Sequence, residues 1–188
     1  RLDGIPLALE LAAARVKVLN VQQIAARLDD RFKLLTGGSR TAMPRHQTLR
    51  ATLQWSHDLL LPPERELLRR LAPFAGGWTL TTAARVTDES ADEFDVLDVL
   101  QHLVDKSLVV VERIGAGEAR YRFLESVRQL AAERLDESGE GPAVRERHLA
   151  WILELVERGD RLTDGAQQQA FFAELDAELE NLLAGLAY

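Results

Sequence analysis

The chain of 188 residues contains no cysteine, so neither disulfide bonds nor thiolate metal sites can form within it. It has no apolar run long enough to span a membrane, and no secretory signal pattern opens it. Aromatic residues make up only 6%, whereas leucine and alanine are abundant, which favours helix. These properties predict a helical, cytoplasmic protein with no membrane partner.

Motifs for catalysis and for phosphate binding are also missing. The four histidines lie in separate predicted elements, and none has the H-E-x-x-H spacing of a zinc site. There is no G-x-S-x-G nucleophile elbow and no G-x-x-x-x-G-K-[ST] loop to cradle nucleotide phosphates. The sequence therefore predicts no catalytic residue and no metal site, and we expect these residues alone to be neither an enzyme nor a tight nucleotide binder.

The stretch from Asp88 to Glu125 organises the rest of the chain. Ser90 and Glu93 have the spacing of a capping box, which predicts the start of a helix. That helix carries a broad apolar face of Phe94, Val96, Leu97, Leu100, Leu103 and Val104. Two short segments of strand character follow, at 107–111 and 120–123, with a Gly-Ala-Gly turn at 115–117 between them. Helices followed by a two-stranded hairpin are the winged-helix pattern.

Further helices are predicted on both sides of this stretch. Upstream helices begin at Asp3, Asn20, about Thr48, Pro62-Pro63 and about Thr79. Downstream, a helix runs from Leu124 to about Asp136, and a polar joint at 137–142 precedes two long amphipathic helices. The second of these has one apolar face, formed by Phe172, Leu175, Leu179, Leu182, Leu183 and Leu186. The predicted fold is mainly α: a helical bundle plus a winged helix with a two-stranded β-hairpin, followed by α-solenoid-type helices.

Charge argues against DNA reading by this winged helix. In a DNA-binding winged helix, the helix before the wing enters the major groove and must contact phosphates. Here that helix carries a single lysine, Lys106, against five carboxylates: Asp92, Glu93, Asp95, Asp98 and Asp105. The arginines of the wing, Arg113, Arg120 and Arg122, fit a solvated or salt-bridged face at least as well as a phosphate contact. The chain as a whole has a net charge of −7, so we expect no DNA binding by this unit.

Several short segments, taken in order, resemble one family. Residues 4–10, GIPLALE, are similar to the G-x-P-L-A-L stretch of NB-ARC-type ATPases, which belong to the STAND class. Residues 35–40, 44–50, 55–56 and 74–77 resemble segments of a group of large bacterial ATP-binding transcriptional regulators. The resemblance covers nearly the whole chain, and the order of the segments is more specific than any one of them.

This resemblance implies an order of domains. Residues 1–46 would end a nucleotide-binding module, 47–136 would form the winged helix, and 142–188 would begin a tetratricopeptide-like sensor domain. In that class the winged helix regulates the ATPase within one polypeptide. The implied partner is therefore the protein's own nucleotide-binding domain, the implied cofactor is ATP or ADP in a longer protein, and an inducer or protein partner would bind the helical repeats.

The resemblance also implies a nucleotide site. The proline of the G-x-P stretch packs beside adenine in the family, which assigns Pro6 and the neighbouring Gly4 to cofactor binding. The family's M-H-D motif is replaced here by the triplet Phe-Leu-Glu at 123–125, and Leu124 cannot donate a hydrogen bond to a phosphate. Arg45, His46 and Arg122 are the candidates to replace that histidine, although each is equally suited to a surface salt bridge.

Two alternatives to this reading follow from the residues. The chain could be the DNA-binding winged-helix module of a transcription factor. Residues 142–188, taken alone, would also fit a helical scaffold that binds protein partners.

Overall fold

The computed structural model describes Val16 and residues 20–23, 49–88, 92–112, 118–160 and 165–187. The elements, in chain order, are α1 (Leu49–Asp58), α2 (Pro62–Arg70), α3 (Leu80–Thr87), α4 (Glu93–Asp105), β1 (Val109–Glu112), β2 (Arg120–Phe123), α5 (Glu125–Ser138), α6 (Gly141–Asp160) and α7 (Gly165–Gly185). The mainly helical fold class with a two-stranded hairpin is thus confirmed.

Local sequence signals account for several helix ends. Asn20 and Gln23 exchange side-chain to backbone hydrogen bonds of 2.8 and 3.0 Å, a capping box that confirms the helix start predicted at Asn20. Thr79 caps α3 in the same reciprocal way with Thr82. Helix α5 ends at Gly139, whose φ of 77° is a left-handed conformation that glycine adopts without strain.

The start of α4 differs from the prediction. Its N-cap is Asp92, whose carboxylate accepts a hydrogen bond of 2.8 Å from the backbone N–H of Phe94; the predicted cap, Ser90, lies outside the described residues. Phe94 is 77% exposed and does not join the apolar face. The buried residues Val96, Leu100 and Leu103 are spaced 0, 4 and 7, and Phe94 lies on the other side of that helix turn.

The hairpin is antiparallel, with Val109 paired to Phe123 and Glu112 to Arg120. Trp78 extends it on one edge, since its backbone N–H and carbonyl each form a hydrogen bond of 2.8 Å with Tyr121. Trp78 can reach Tyr121 because Gly77 precedes it: a Cβ at Gly77 would lie 2.5 Å from the carbonyl oxygen of Tyr121. The predicted turn at 115–117 lies outside the described residues.

The chain divides into two compact units. The larger spans Pro62–Leu124 and Ala131–Tyr188, and the smaller includes α1 and Glu125–Leu130. Within the larger unit, the core of the winged helix is formed by Leu67, Leu68, Leu71, Phe74, Trp78, Ala83, Val86, Val96, Leu100, Leu103, Val109 and Phe123. Helices α6 and α7 belong to this same unit, whereas the domain boundaries inferred from the resemblance stay predictions.

Candidate regulatory interface on the wing

The wing contacts helix α7 through a buried arginine. Two nitrogens of Arg120 donate to the carboxylate of Glu178, at 2.6 and 2.9 Å. The same guanidinium donates to the carbonyl oxygens of Gly76 at 3.1 and 2.9 Å and of Ala177 at 3.0 Å. The two charged side chains are only 13% and 7% exposed. A bidentate pair with its remaining donors satisfied is the arrangement in which a buried ion pair can be retained.

Asn181 completes this contact one turn further along α7. Its Oδ1 accepts hydrogen bonds from the backbone N–H groups of Ala75 and Gly76, at 2.9 and 3.0 Å. Its Nδ2 donates to the carbonyl oxygen of Gly77 at 2.8 Å and to Glu178 at 2.6 Å. Asn181 is fully buried. Its one side chain supplies hydrogen-bond partners for backbone N–H and carbonyl groups of the turn at 75–77. We call Arg120, Glu178 and Asn181 the wing clamp.

The electrostatics of the wing clamp favour the ion pair. The hydrogen bond that Arg120 donates to Glu178 raises the pKa of Arg120 above its already high usual value, while burial acts in the opposite direction. Arg120 is therefore charged in the folded protein, and Glu178 is its main partner.

An aromatic cluster lies beside the wing clamp. The ring of Phe74 is 5.7 Å from Trp78, 4.9 Å from His148 and 5.5 Å from Trp151, centroid to centroid. Trp78 in turn meets Phe123 edge-on at 4.7 Å. The cluster joins helix α6 to the winged-helix core by apolar contact. Burial lowers the pKa of His148, which lies inside it, to about 4, so the imidazole is neutral at physiological pH.

Two arginine contacts strengthen the attachment of α6. Arg147 donates to the carbonyl oxygens of Val86 and Thr87, at 2.8 and 3.1 Å, where a positive charge complements the C-terminal end of α3. Hydrogen bonds from Arg69, and then from Arg70, hold the pKa of the Glu140 carboxyl at about 2. Helix α6 is therefore anchored at its N-terminal half by polar contacts and at its centre by aromatic contacts.

Helix α4, at the position of a recognition helix, presents an acidic surface. Its carboxylates Asp92, Glu93, Asp95, Asp98 and Asp105 are all exposed. Its C-cap, Lys106, donates to the buried carboxylate of Glu64 at 2.5 and 2.6 Å. Because Glu64 balances the charge of Lys106, the exposed charge of this helix is predominantly negative, which opposes an approaching phosphate backbone.

The structure describes one of the five predicted cofactor residues. Gly4, Pro6, Arg45 and His46 lie outside the described residues. Arg122 lies on β2 and forms an ion pair with Glu112 on β1, about half exposed. Leu124 is the N-cap position of α5 and makes no side-chain capping hydrogen bond. The assignment of these residues to a nucleotide site stays a prediction.

Sequence reasoning missed the wing clamp. Arg120 was one of three wing arginines. Glu178 and Asn181 lie three residues apart on α7, in a segment that also contains Glu174, Asp176 and Glu180. Such spacing places both side chains on one face of a helix. On α7 it is thus Glu178 and Asn181 that contact the wing, whereas Leu179, Leu183 and Leu186 of the predicted apolar face are exposed.

The helices α2 to α4, the hairpin and the bridge at Trp78 define a winged helix-turn-helix domain. Residues 60–136 match the family model for the winged helix-turn-helix domain. Two relatives are provisionally named HTH-type transcriptional regulators: Rv0890c of Mycobacterium tuberculosis and Mb0914c of Mycobacterium bovis. The chain is 48% identical to each over 189 residues, and this match covers all of the chain and 21% of each relative. It is 53% identical over 150 residues to Rv0894 of M. tuberculosis, covering 79% of this chain and 38% of that protein, whose name states no function.

The chain therefore contains a winged helix-turn-helix domain and is homologous to proteins named as transcriptional regulators, and it spans about a fifth of the length of the first two relatives. No solved structure matches it. Among the described residues, no helix is long and apolar enough to cross a membrane. The described part of the chain also contains no group of His, Cys, Asp or Glu side chains suited to hold a metal ion.

Proposed function

We propose that this chain is the regulatory portion of a STAND-type, ATP-binding transcriptional regulator. Its winged helix docks within the protein and couples the ADP or ATP state of a nucleotide-binding module to a helical sensor that begins with α6 and α7. The residues at 1–46 would complete that module, with Gly4, Pro6 and one of Arg45, His46 or Arg122 near the nucleotide. The chain itself would not be an enzyme.

The observation that carries this proposal is the wing clamp. Helices α6 and α7 are held to the hairpin by a buried, bidentate ion pair and a buried asparagine. A rotation of α7 would have to break these contacts together, because they share the turn at 75–77. A transmission element requires an interface that changes between discrete arrangements, and contacts that must break together are suited to such a change.

Glu178→Gln tests whether the clamp holds the wing. The variant leaves the guanidinium of Arg120 buried without its counter-charge, so we expect a loss of about 3 kcal/mol in the free energy of unfolding, measured by urea titration. We also expect faster hydrogen exchange at the backbone N–H groups of Trp78 and Tyr121. Glu174→Gln is the matched control, because its pair with Arg158 is about half exposed on both sides and is worth less than about 1 kcal/mol.

Equal losses from the two variants would show that the clamp is an ordinary surface contact and would remove the structural basis of the coupling. A second readout is catalytic: the purified chain should show no ATP turnover. Measurable turnover would contradict the assignment of these residues to a regulatory portion.

A DNA-binding winged-helix module is the second candidate, and the names of the relatives together with the winged helix-turn-helix match favour it. The two candidate functions predict different affinities for DNA and different salt dependences of that affinity. A protein that contacts six to ten phosphates loses about 10³ to 10⁵ in affinity between about 50 and 200 mM salt. We expect no sub-micromolar binding of duplex DNA at either salt concentration, measured by fluorescence anisotropy. Sub-micromolar binding with a steep salt slope would favour the second candidate over the first.

A further inference from the structure

The turn at 75–77 presents backbone donors that converge on one point. The N–H groups of Ala75 and Gly76, which are consecutive in the chain, donate to the same oxygen, Oδ1 of Asn181, at 2.9 and 3.0 Å. Successive backbone N–H groups that point to one position form a concavity suited to an anion. The turn therefore has the donors of an anion site, and a carboxamide oxygen of α7 fills it.

Arg120 adds a positive charge beside this turn, and the winged helix itself orients it. Its Nε and Nη2 donate to the carbonyl oxygen of Gly76 at 3.1 and 2.9 Å, and Nη2 also donates to that of Gly77 at 3.3 Å. These contacts join the hairpin to the turn and do not involve α7, so we expect the guanidinium to keep its direction when α7 moves away. We call Arg120 and the two N–H groups of the turn the wing donors.

The groups of α7 that meet the wing donors have the hydrogen-bonding character of a phosphate. Glu178 supplies two carboxylate oxygens, which accept from Arg120 at 2.6 and 2.9 Å, and Asn181 supplies a third oxygen to the turn. The two side chains are adjacent, since Nδ2 of Asn181 donates to Glu178 at 2.6 Å. Three acceptor oxygens and one negative charge thus face a guanidinium and two backbone N–H groups. A phosphate group presents the same kind of acceptors, and arginine binds it in the same bidentate way.

We propose that the wing donors form a latent phosphate site, which Glu178 and Asn181 occupy in place of a ligand while α7 is docked. In the docked arrangement the site is closed, because the side chains of Arg120 and Glu178 are only 13% and 7% exposed. A phosphate group and α7 therefore exclude each other at the turn. Docking of α7 is an autoinhibitory contact for this site, and a bound phosphate group favours the released arrangement.

This inference deepens the proposed function, since it rests on a winged helix from which α7 is released and names what binds there. It does not require coupling to ATP, because substitutions on α7 open the site without a nucleotide-binding module. A phosphorylated small molecule or the backbone of duplex DNA can supply the phosphate group, and the choice of probe separates these two sources.

The double variant Glu178→Ala/Asn181→Ala opens the site, because it removes the three oxygens of α7 and adds no positive charge. Binding of inorganic phosphate to the 188-residue chain is measured by isothermal titration calorimetry at constant ionic strength. We expect the double variant to bind phosphate at least about tenfold more tightly than the wild type, since a single hydrogen bond to a charged partner contributes this much.

A duplex DNA, measured by fluorescence anisotropy at low and high salt, identifies the source of the phosphate group. A gain for both probes, with a log–log salt slope for DNA that steepens by about 0.9 per phosphate, assigns the site to the DNA backbone. A gain for inorganic phosphate alone assigns it to a phosphorylated small molecule.

Two control variants make the result specific. Glu174→Ala removes the same charge from α7, at an ion pair with Arg158 that is about half exposed, and should leave the affinity for phosphate unchanged. Adding Arg120→Gln to the double variant removes the guanidinium and should return the affinity to the wild-type value. Circular dichroism confirms that each variant is folded. If the double variant unfolds, Glu178→Gln replaces it, because glutamine keeps the shape of the side chain while removing the competing charge, and it should still gain affinity.

Two results would overturn the proposal. Equal affinity of the double variant and Glu174→Ala for phosphate would show that only the loss of a negative charge matters. A gain that survives Arg120→Gln would show that the phosphate binds elsewhere. Neither result bears on ATP turnover or on the stability of Glu178→Gln, by which the proposed function is judged.

Discussion

His148 should make the free energy of unfolding depend on pH between 6.5 and about 4, a window that lies mostly above the pKa values of Asp and Glu. Its imidazole is fully buried, 4.9 Å from the ring of Phe74 and 5.6 Å from Trp151. Burial lowers its pKa from 6.5 to about 4 in the folded protein. Between these values the unfolded chain binds a proton that the folded chain does not, so stability falls as pH falls through this window.

The magnitude follows from the two pKa values. One pKa unit corresponds to about 1.4 kcal/mol, so the full shift is worth about 3 kcal/mol once both states are protonated, below pH 4. Between pH 7 and pH 5, where Asp and Glu remain mostly ionised, the loss is about 2 kcal/mol. This is a sizeable part of the 5–15 kcal/mol that typically separates a folded domain from its unfolded chain.

The measurement compares the wild-type chain with His148→Leu in urea titrations at pH 7, 6 and 5, followed by tryptophan fluorescence. Trp78 and Trp151 report on the cluster, since both are buried. Leucine is of similar size and does not titrate, so the variant should lose less stability on acidification than the wild type, by about 2 kcal/mol. A change in packing caused by the substitution alters the free energy of unfolding by the same amount at every pH, so it does not affect this comparison. Parallel pH dependences for the two proteins would refute the reasoning.

Further predictions concern the turn, the acid range and the surface of α4. Gly77→Ala should lower the free energy of unfolding by well over about 1 kcal/mol, because the φ of Gly77 is +84° and a Cβ would lie 2.5 Å from the carbonyl oxygen of Tyr121. Gly139→Ala is the control: its φ is +77° but the space around it is open, so it should cost only the backbone strain of about 1 kcal/mol. Glu140→Gln should destabilise the protein at pH 7, with the difference from wild type shrinking as pH falls from 4.5 toward 2, because the pKa of Glu140 is about 2. Asp98→Lys on α4 and Glu157→Lys on α6 should change the salt dependence of non-specific DNA binding equally, because only net charge matters if α4 does not enter the groove. A log–log slope that steepens by about 0.9 for Asp98→Lys alone would show that α4 contacts a phosphate.

Much of the fold was predictable because its signals are local. Apolar residues recur with a helical period at 96–103, and polar and aromatic residues alternate at 120–123. The first pattern indicates a helix and the second a strand, whatever the rest of the fold is. The observed elements α1, α3, α4, α5 and both strands match the predicted ones within a few residues. The errors concern one helix start and one side-chain direction: Asp92 rather than Ser90 caps α4, and Phe94 is exposed.

The candidate interface was less predictable, because it joins residues far apart in the chain. Arg120 and Glu178 are 58 positions apart, and Asn181 is more than 100 positions from the turn that it satisfies. Neither pairing follows from helical spacing or from turn chemistry. The sequence shows five polar side chains on α7 between residues 174 and 181, without indicating which of them are buried or what they contact.

The sequence by itself determined the helices, the hairpin and the acidic surface of α4. The apolar period, the helix-capping residues and the charges that define them are each set by residues close together in the chain. Only the tertiary structure decided which face of α7 would hold the wing. A helix with polar residues on one face and leucines on another can bury either, and here the backbone groups at 75–77 required polar partners. Glu178 and Asn181 therefore contact the wing, and Leu179, Leu183 and Leu186 are exposed.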